Sequence, residues 1–193
     1  QYLLLDDSRY NDPVEGLKYI MSPPLRKPAD EAALWAGLRE EDIDAVGTDH
    51  CPFFFATQKQ RGARDFTCCP NGAPGVELRM ALLFSEGYKK GRFTLPQLVR
   101  LASTNPARIF GIAPQKGDIA IGADADLVLF DPNVKWTVEK SLLHENTDYT
   151  LYEGMELTGR PVLTLSRGEI VAQNGAFVGN AGRGQYLKRN YIL

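Results

Sequence analysis

The chain has 193 residues, enough to bury the core of one or two ordinary domains. Its 22 basic and 24 acidic residues leave a formal charge of -2, with no run of Lys or Arg long enough to track phosphates, so nucleic acid is not an expected partner. No apolar stretch approaches the roughly 20 residues that span a bilayer, and the start "QYLLLDDSRY" lacks the basic region and cleavage site of a signal peptide, so no membrane partner is expected either. Cys51, Cys68 and Cys69 are an odd set with two adjacent members, neither a disulfide framework nor a zinc-ribbon spacing, which favours a reducing, cytoplasmic location. Because Gln1 opens the sequence inside an apolar run, a fragment or a processed chain is expected.

In chain order, "LKYIM" (17–21) reads as a strand ending at Ser22-Pro23-Pro24, where proline removes donors and forces extended backbone. "KPADEAALWAGLREEDI" reads as a helix, with Ala32, Ala33, Leu34, Trp35 and Leu38 apolar and its acids in the first turn, where the helix dipole favours them. "IDAVGTD" reads as a second short strand ending at Asp49. Strand, helix and strand with short connections make a parallel α/β unit. The stretch from His50 to Gly75, rich in aromatics, Gly and Pro, is too long for an idle connection and is expected to be functional. "VELRMALLFSEGYKKG" and "TLPQLVRLASTNPARIFGI" read as core-packing helices. From Gly117 the pattern turns to short β-branched runs between Gly, Asp and Pro turns, an all-β region. Strands are expected on either side of Arg167-Gly168, with a short last one after Asn174-Gly175. The tail "NAGRGQYLKRNYIL" is Gly-rich, basic and aromatic without periodicity, so it is either flexible or held by a partner surface.

In parallel α/β sheets and barrels, ligands bind where the loops converge at the carboxyl ends of strands. Two such ends carry chemistry: Ser22, and the run Asp49, His50, Cys51. Asp49 suits a divalent-metal ligand or a proton acceptor, and equally a loop or capping residue. His50 is a candidate ligand or a hydrogen-bonded structural histidine. Cys51 is a candidate nucleophile or, lacking a local partner group, a buried inert thiol. Cys68 and Cys69 read as packing, with oxidation open to any exposed thiol, and His144 as structural or solvated. Asn71-Gly72 and Pro74-Gly75 are either ordinary turns or a backbone clamp on a small polar ligand.

Taken together, "YLLLDDSRY", "YIMSPPLR", "GTDHCPF", "PNGAPGVELRM", "TNPARIFGI", "KGDIAIGADADLVLFDP" and "YEGMELTGRPVLTLSRGEIV" resemble, in the same order, the carboxyl-terminal part of dihydropyrimidinases and D-hydantoinases, cyclic amidohydrolases of the amidohydrolase superfamily. The resemblance implies an α/β fold: the last two strands and helices of a (β/α)8 TIM-like barrel over 1–113, part of a small β-sandwich over 114–178, and a tail over 179–193 at a subunit interface. It implies hydrolytic ring opening of 5,6-dihydropyrimidines and 5-substituted hydantoins by a hydroxide bridging two divalent metal ions, usually Zn2+, together with a carboxylated lysine outside this chain. On that reading Asp49 ligates one metal and relays the proton to the leaving nitrogen. Backbone groups at Ser22 and Asn71 hold the cyclic substrate, and the complete enzyme is a homotetramer.

The family's histidine ligands and lysine would precede Gln1, and His50 and His144 cannot replace them, so this chain alone is expected to be inactive and to expose a sheet edge. Leu78 stands where the family commonly has an acid after "GVE", which puts a helix-surface contact in doubt. Allantoinase, dihydroorotase and the non-catalytic collapsin response mediator type of scaffold are the alternatives; retention of Asp49 argues against the last.

Overall fold

The computed structural model describes residues 1–189, which form two compact units, each assembled from discontinuous segments. One unit comprises Gln1–Asp42, Gly47–Leu82 and Thr137–Leu157, and the other Ile43–Val46, Leu83–Trp136 and the chain from Thr158 onward.

In the first unit the expected helix is α1, Pro28–Glu40. Proline at its first turn costs no hydrogen bond, and the Asp30 carboxylate accepts from the Lys27 N–H at 3.0 Å. Glu41, at φ 67, ends the helix in the left-handed region. Trp35 and Leu38 are its buried residues, and the Trp35 indole donates to the Leu3 carbonyl at 2.7 Å. Around them Leu5, Leu17, Met21, Leu25, Leu78, Val138, Leu151 and Leu157 complete the core. The long stretch after His50 is ordered by two short 3-10 turns, Lys59–Ala63 and Phe66–Cys68. Cys69 packs inside, as expected, and Cys68 is exposed.

Two expected strands differ. Leu17 falls in a 3-10 turn, Glu15–Tyr19, and Ile43–Asp49 joins no ladder, with Asp49 itself left-handed at φ 47. A parallel strand exists only through a hydrogen-bonded neighbour. Among the described residues the one pairing at this point is an isolated parallel bridge between His50 and Ala73.

Helix α2, Arg79–Leu82, continues into a π-helical turn, Leu83–Tyr88. Ala81 and Leu82 are buried, and so is the run from Leu83 to Gly87. Leu78, just before α2, is 2% exposed, so the residue that put a helix-surface contact in doubt packs in the core.

In the second unit, α3 (Leu95–Val99) starts from a capping box in which the Gln97 side chain accepts from the Thr94 N–H at 2.9 Å. A π-helical turn, Arg100–Thr104, leads to α4, Asn105–Ile109, where Pro106 has no N–H to return to the preceding turn. Four strands follow in the order β1 (Leu127–Thr137), β2 (Glu156–Ser166), β3 (Glu169–Gln173), β4 (Ala176–Phe177). Strands β2 and β3 pair antiparallel from Leu163↔Gln173 to Ser166↔Glu169, with a bulge between Thr164 and Leu165. Arg167 and Gly168 take φ 50 and 80, and Asn174 and Gly175 take φ 50 and 81, the double left-handed geometry of two-residue hairpins. Phe84 packs on Phe130 of β1, ring centroids 4.6 Å apart.

The β structure begins at Leu127 rather than Gly117, and Ile119 and Ile121 are exposed. Arg183, in the tail, donates to the Ser166 carbonyl at 2.6 Å and pairs with Glu169 at 3.2 Å. Of the tail residues expected at an interface, Tyr186 is exposed, and Tyr191, Ile192 and Leu193 lie outside the described residues.

Candidate functional site

Three loops of the first unit meet where the sequence places its chemistry. The Gly72 N–H donates to the Ile20 carbonyl at 3.1 Å, which draws the Asn71-Gly72 turn against the segment leading to Ser22. The Cys51 N–H donates to the Ala73 carbonyl at 3.1 Å, next to the His50–Ala73 bridge, and so lays the Asp49–Cys51 corner along the same turn. As a result the Ser22 hydroxyl donates to Asn71 Oδ1 at 3.4 Å. Ser22, Asn71 and Asp49 are all exposed, open to a small molecule.

Asp49 sits at φ 47, a left-handed conformation that Asp and Asn adopt more readily than other side chains. Burial pushes the Tyr2 phenol up, and the Asp49 carboxylate acts on it in the same direction, which places Tyr2 beside this corner. The Tyr2 hydroxyl donates to the Pro23 carbonyl at 2.6 Å.

His50 is a hydrogen-bonded structural histidine. Its Nδ1 accepts from the Gly75 N–H at 3.1 Å and the Val76 N–H at 3.3 Å. An Nδ1 that accepts carries no proton, so the neighbouring Glu145 Oε1 at 3.8 Å is not a salt-bridge partner through that atom. Glu145 Oε1 instead accepts from the Glu77 N–H at 3.0 Å, while its buried Oε2 has no donor among the described residues. His144 is exposed, and its Nδ1 lies 2.8 Å from Glu77 Oε1. Cys51 is exposed rather than buried, although both its backbone and its side chain lie against Gly72.

Two residues that sequence reasoning missed hold the long loop. Lys59 is fully buried, and its ammonium donates to the carbonyls of Ile20 at 2.7 Å and Pro70 at 2.8 Å. Burial pulls it down to about 8. Nothing in "FFFATQKQRG" marks this lysine as interior. Asp148 accepts from the N–H groups of Phe55 at 2.6 Å and Ala56 at 2.9 Å. Burial works to raise the Asp148 carboxyl, but the two amide donors outweigh it and hold the group below its ordinary value.

A carboxyl whose folded value is lowered contributes stability above the unfolded value, about 3.9, and loses that contribution as pH falls below it. Asp148→Asn in the full-length protein is therefore expected to cost about 1 kcal/mol near pH 7, a modest figure because the group is exposed. Melting curves check this: the gap from wild type should narrow as pH falls below about 3.9, and a gap independent of pH would contradict the assignment.

Among the described residues, no group of three or more His, Cys, Asp or Glu side chains could hold a metal ion. Asp49 can supply one carboxylate ligand, so the described residues do not by themselves fit a binuclear centre. None of the described helices is long and apolar enough to cross a membrane.

The model of the amidohydrolase family matches residues 19–171. The chain belongs to that family. It is 50% identical over 190 residues to the D-hydantoinase of Geobacillus stearothermophilus, covering 98% of this chain and 40% of that protein. The D-phenylhydantoinase of Escherichia coli is 49% identical, over 98% of this chain and 41% of its own length. Among solved structures, the dihydropyrimidinase of Brevibacillus agri superposes with a TM-score of 0.96 at 50% identity, over 98% of this chain and 41% of that one. The L-hydantoinase of Arthrobacter aurescens superposes at 0.87 with 35% identity, over 97% of this chain and 41% of that one.

This amidohydrolase chain thus spans about two-fifths of the length of the curated relatives it matches. The expected α/β class holds: helices and an antiparallel sheet are arranged as in the corresponding part of the hydantoinases. Hydantoinases of this family are metal-dependent.

Proposed function

We propose that this chain belongs to a hydantoinase-type enzyme that opens 5,6-dihydropyrimidine and 5-substituted hydantoin rings to N-carbamoyl amino acids. The observation that carries the proposal is the meeting, in one unit, of the loops that carry Ser22, Asp49 and Asn71, all three exposed, with Ser22 and Asn71 in hydrogen-bond contact. Identity near 50% to a D-hydantoinase and a D-phenylhydantoinase supports it.

In this reading the backbone groups of Ser22 and Asn71 hold the ring amide and imide, fixing the scissile carbonyl without selecting the exocyclic substituent. Water adds to the carbonyl carbon, the ring C–N bond breaks, and the proton lost by the water ends on the departing nitrogen. The Asp49 carboxylate carries that proton, accepting it on attack and returning it on departure. Two divalent metal ions, most simply Zn2+, would be held by Asp49 together with a carboxylated lysine and further ligands outside this chain, and would supply the acidity that makes a nucleophile of water near neutral pH. Residues 1–113 form part of the barrel and 114–178 part of the β-sandwich. The tail packs on a neighbouring subunit of a homotetramer, and the enzyme works in the cytoplasm.

The full-length enzyme is expected to hydrolyse hydantoin and dihydrouracil, to lose that activity on dialysis against a chelator, and to regain it with Zn2+. Folded, metal-replete protein that leaves both rings intact would overturn the proposal. So would turnover confined to allantoin or dihydroorotate.

A further inference from the structure

Lys59 is the most completely buried charged side chain described, and no carboxylate is bonded to it. An ammonium removed from water is costly unless its protons are accepted. Here two are, by the carbonyls of Ile20 and Pro70, while the Phe53 ring lies 5.8 Å from the nitrogen. An apolar side chain would fill this space without the desolvation penalty but would leave the Pro70 carbonyl only the weak Cys69 thiol donor at 3.8 Å.

What those bonds accomplish follows from peptide geometry. The Pro70–Asn71 bond is not among the cis peptides, and across a planar trans peptide the C=O and N–H point in opposite directions. With the Pro70 carbonyl turned inward to Lys59, the Asn71 N–H points the opposite way, away from the buried ammonium. The Asn71 N–H has no protein acceptor among the described residues. The same nitrogen holds the Ile20 carbonyl, two residues before Ser22, and that carbonyl also receives the Gly72 N–H at 3.1 Å. One buried cation therefore ties together both segments that flank the substrate contacts.

We infer that Lys59 is a positioning residue that sets the Asn71 N–H as a donor to a carbonyl oxygen of the cyclic substrate, an inference that rests on the proposed function. Lys59 does not touch the substrate. It sets the direction of a group that does, so its loss weakens binding and leaves the chemical step in place.

The test uses the full-length, metal-replete enzyme. Lys59→Met keeps the volume and removes the donors, and KM for hydantoin is expected to rise about tenfold or more with kcat within about threefold of wild type. Lys59→Gln, whose amide keeps two N–H donors on a shorter stem, is expected to fall between the two. A merely structural lysine would lower the melting temperature and leave the KM of the folded fraction unchanged; that result overturns the inference, as does a fall in kcat alone. If neither variant folds, Lys59 is a folding residue and the inference fails. Folded wild-type enzyme inactive on every cyclic amide would instead remove the functional reading, and this inference with it, before any variant is compared.

Discussion

Asp49→Asn in the full-length enzyme is expected to lower kcat for hydantoin and dihydrouracil by about 10³-fold or more, a loss of about 4 kcal/mol of transition-state stabilisation. The amide can neither carry the proton nor offer a charged oxygen to a metal. Asparagine is the informative substitution because the backbone here is left-handed, at φ 47, a conformation asparagine shares with aspartate at little cost. Alanine at the same position adds backbone strain of about 1 kcal/mol to the chemical loss and would confuse the two. The melting temperature of Asp49→Asn should stay close to wild type, since the side chain is exposed. Turnover within tenfold of wild type, measured with saturating Zn2+, would remove Asp49 from the chemistry.

The second large effect is expected at Gly72. Its φ is 143, and a Cβ there would lie 2.4 Å from the Cys51 carbonyl oxygen and 2.9 Å from its sulfur. The oxygen cannot swing aside cheaply, because the Cys51 N–H is held by Ala73 at 3.1 Å and the Gly72 N–H by Ile20 at 3.1 Å. Gly72→Ala should therefore destabilise the full-length protein by about 3 kcal/mol or more, through strain and clash together. It should also raise KM in whatever folds, since Asn71 shares the displaced turn. Gly91→Ala is the control: its φ is 69 but nothing lies within 4 Å, so only the left-handed penalty of about 1 kcal/mol applies. Equal melting temperatures for the two variants would show that the close approach at Gly72 does not constrain the fold.

Local chemistry was legible in the residues wherever a few neighbours decide the conformation. Pro28 with Asp30 starts α1, Thr94 with Gln97 starts α3, and Arg167-Gly168 and Asn174-Gly175 turn their hairpins, because caps and two-residue turns are satisfied within three or four residues. The candidate site was legible in a different way. Ser22, Asp49 and Asn71 stand at the ends or turns of segments whose order matches a known family, and the contact between Ser22 and Asn71 follows that order.

By itself, then, the sequence determined the helices, the hairpin turns and the three residues on which the proposed chemistry rests. Only the tertiary structure decided the burial of Lys59, the inward position of Leu78 and the reach of Asp148 to Phe55 and Ala56. It also decided that Ile43–Asp49 joins no ladder among the described residues, although the Val46 N–H donates to the Leu101 carbonyl at 3.3 Å. The physical reason is common to all four. Whether a lysine is solvated or enclosed, whether a carboxylate finds amide donors, and whether an extended segment gains a ladder depend on groups distant along the chain, and no local pattern encodes their approach.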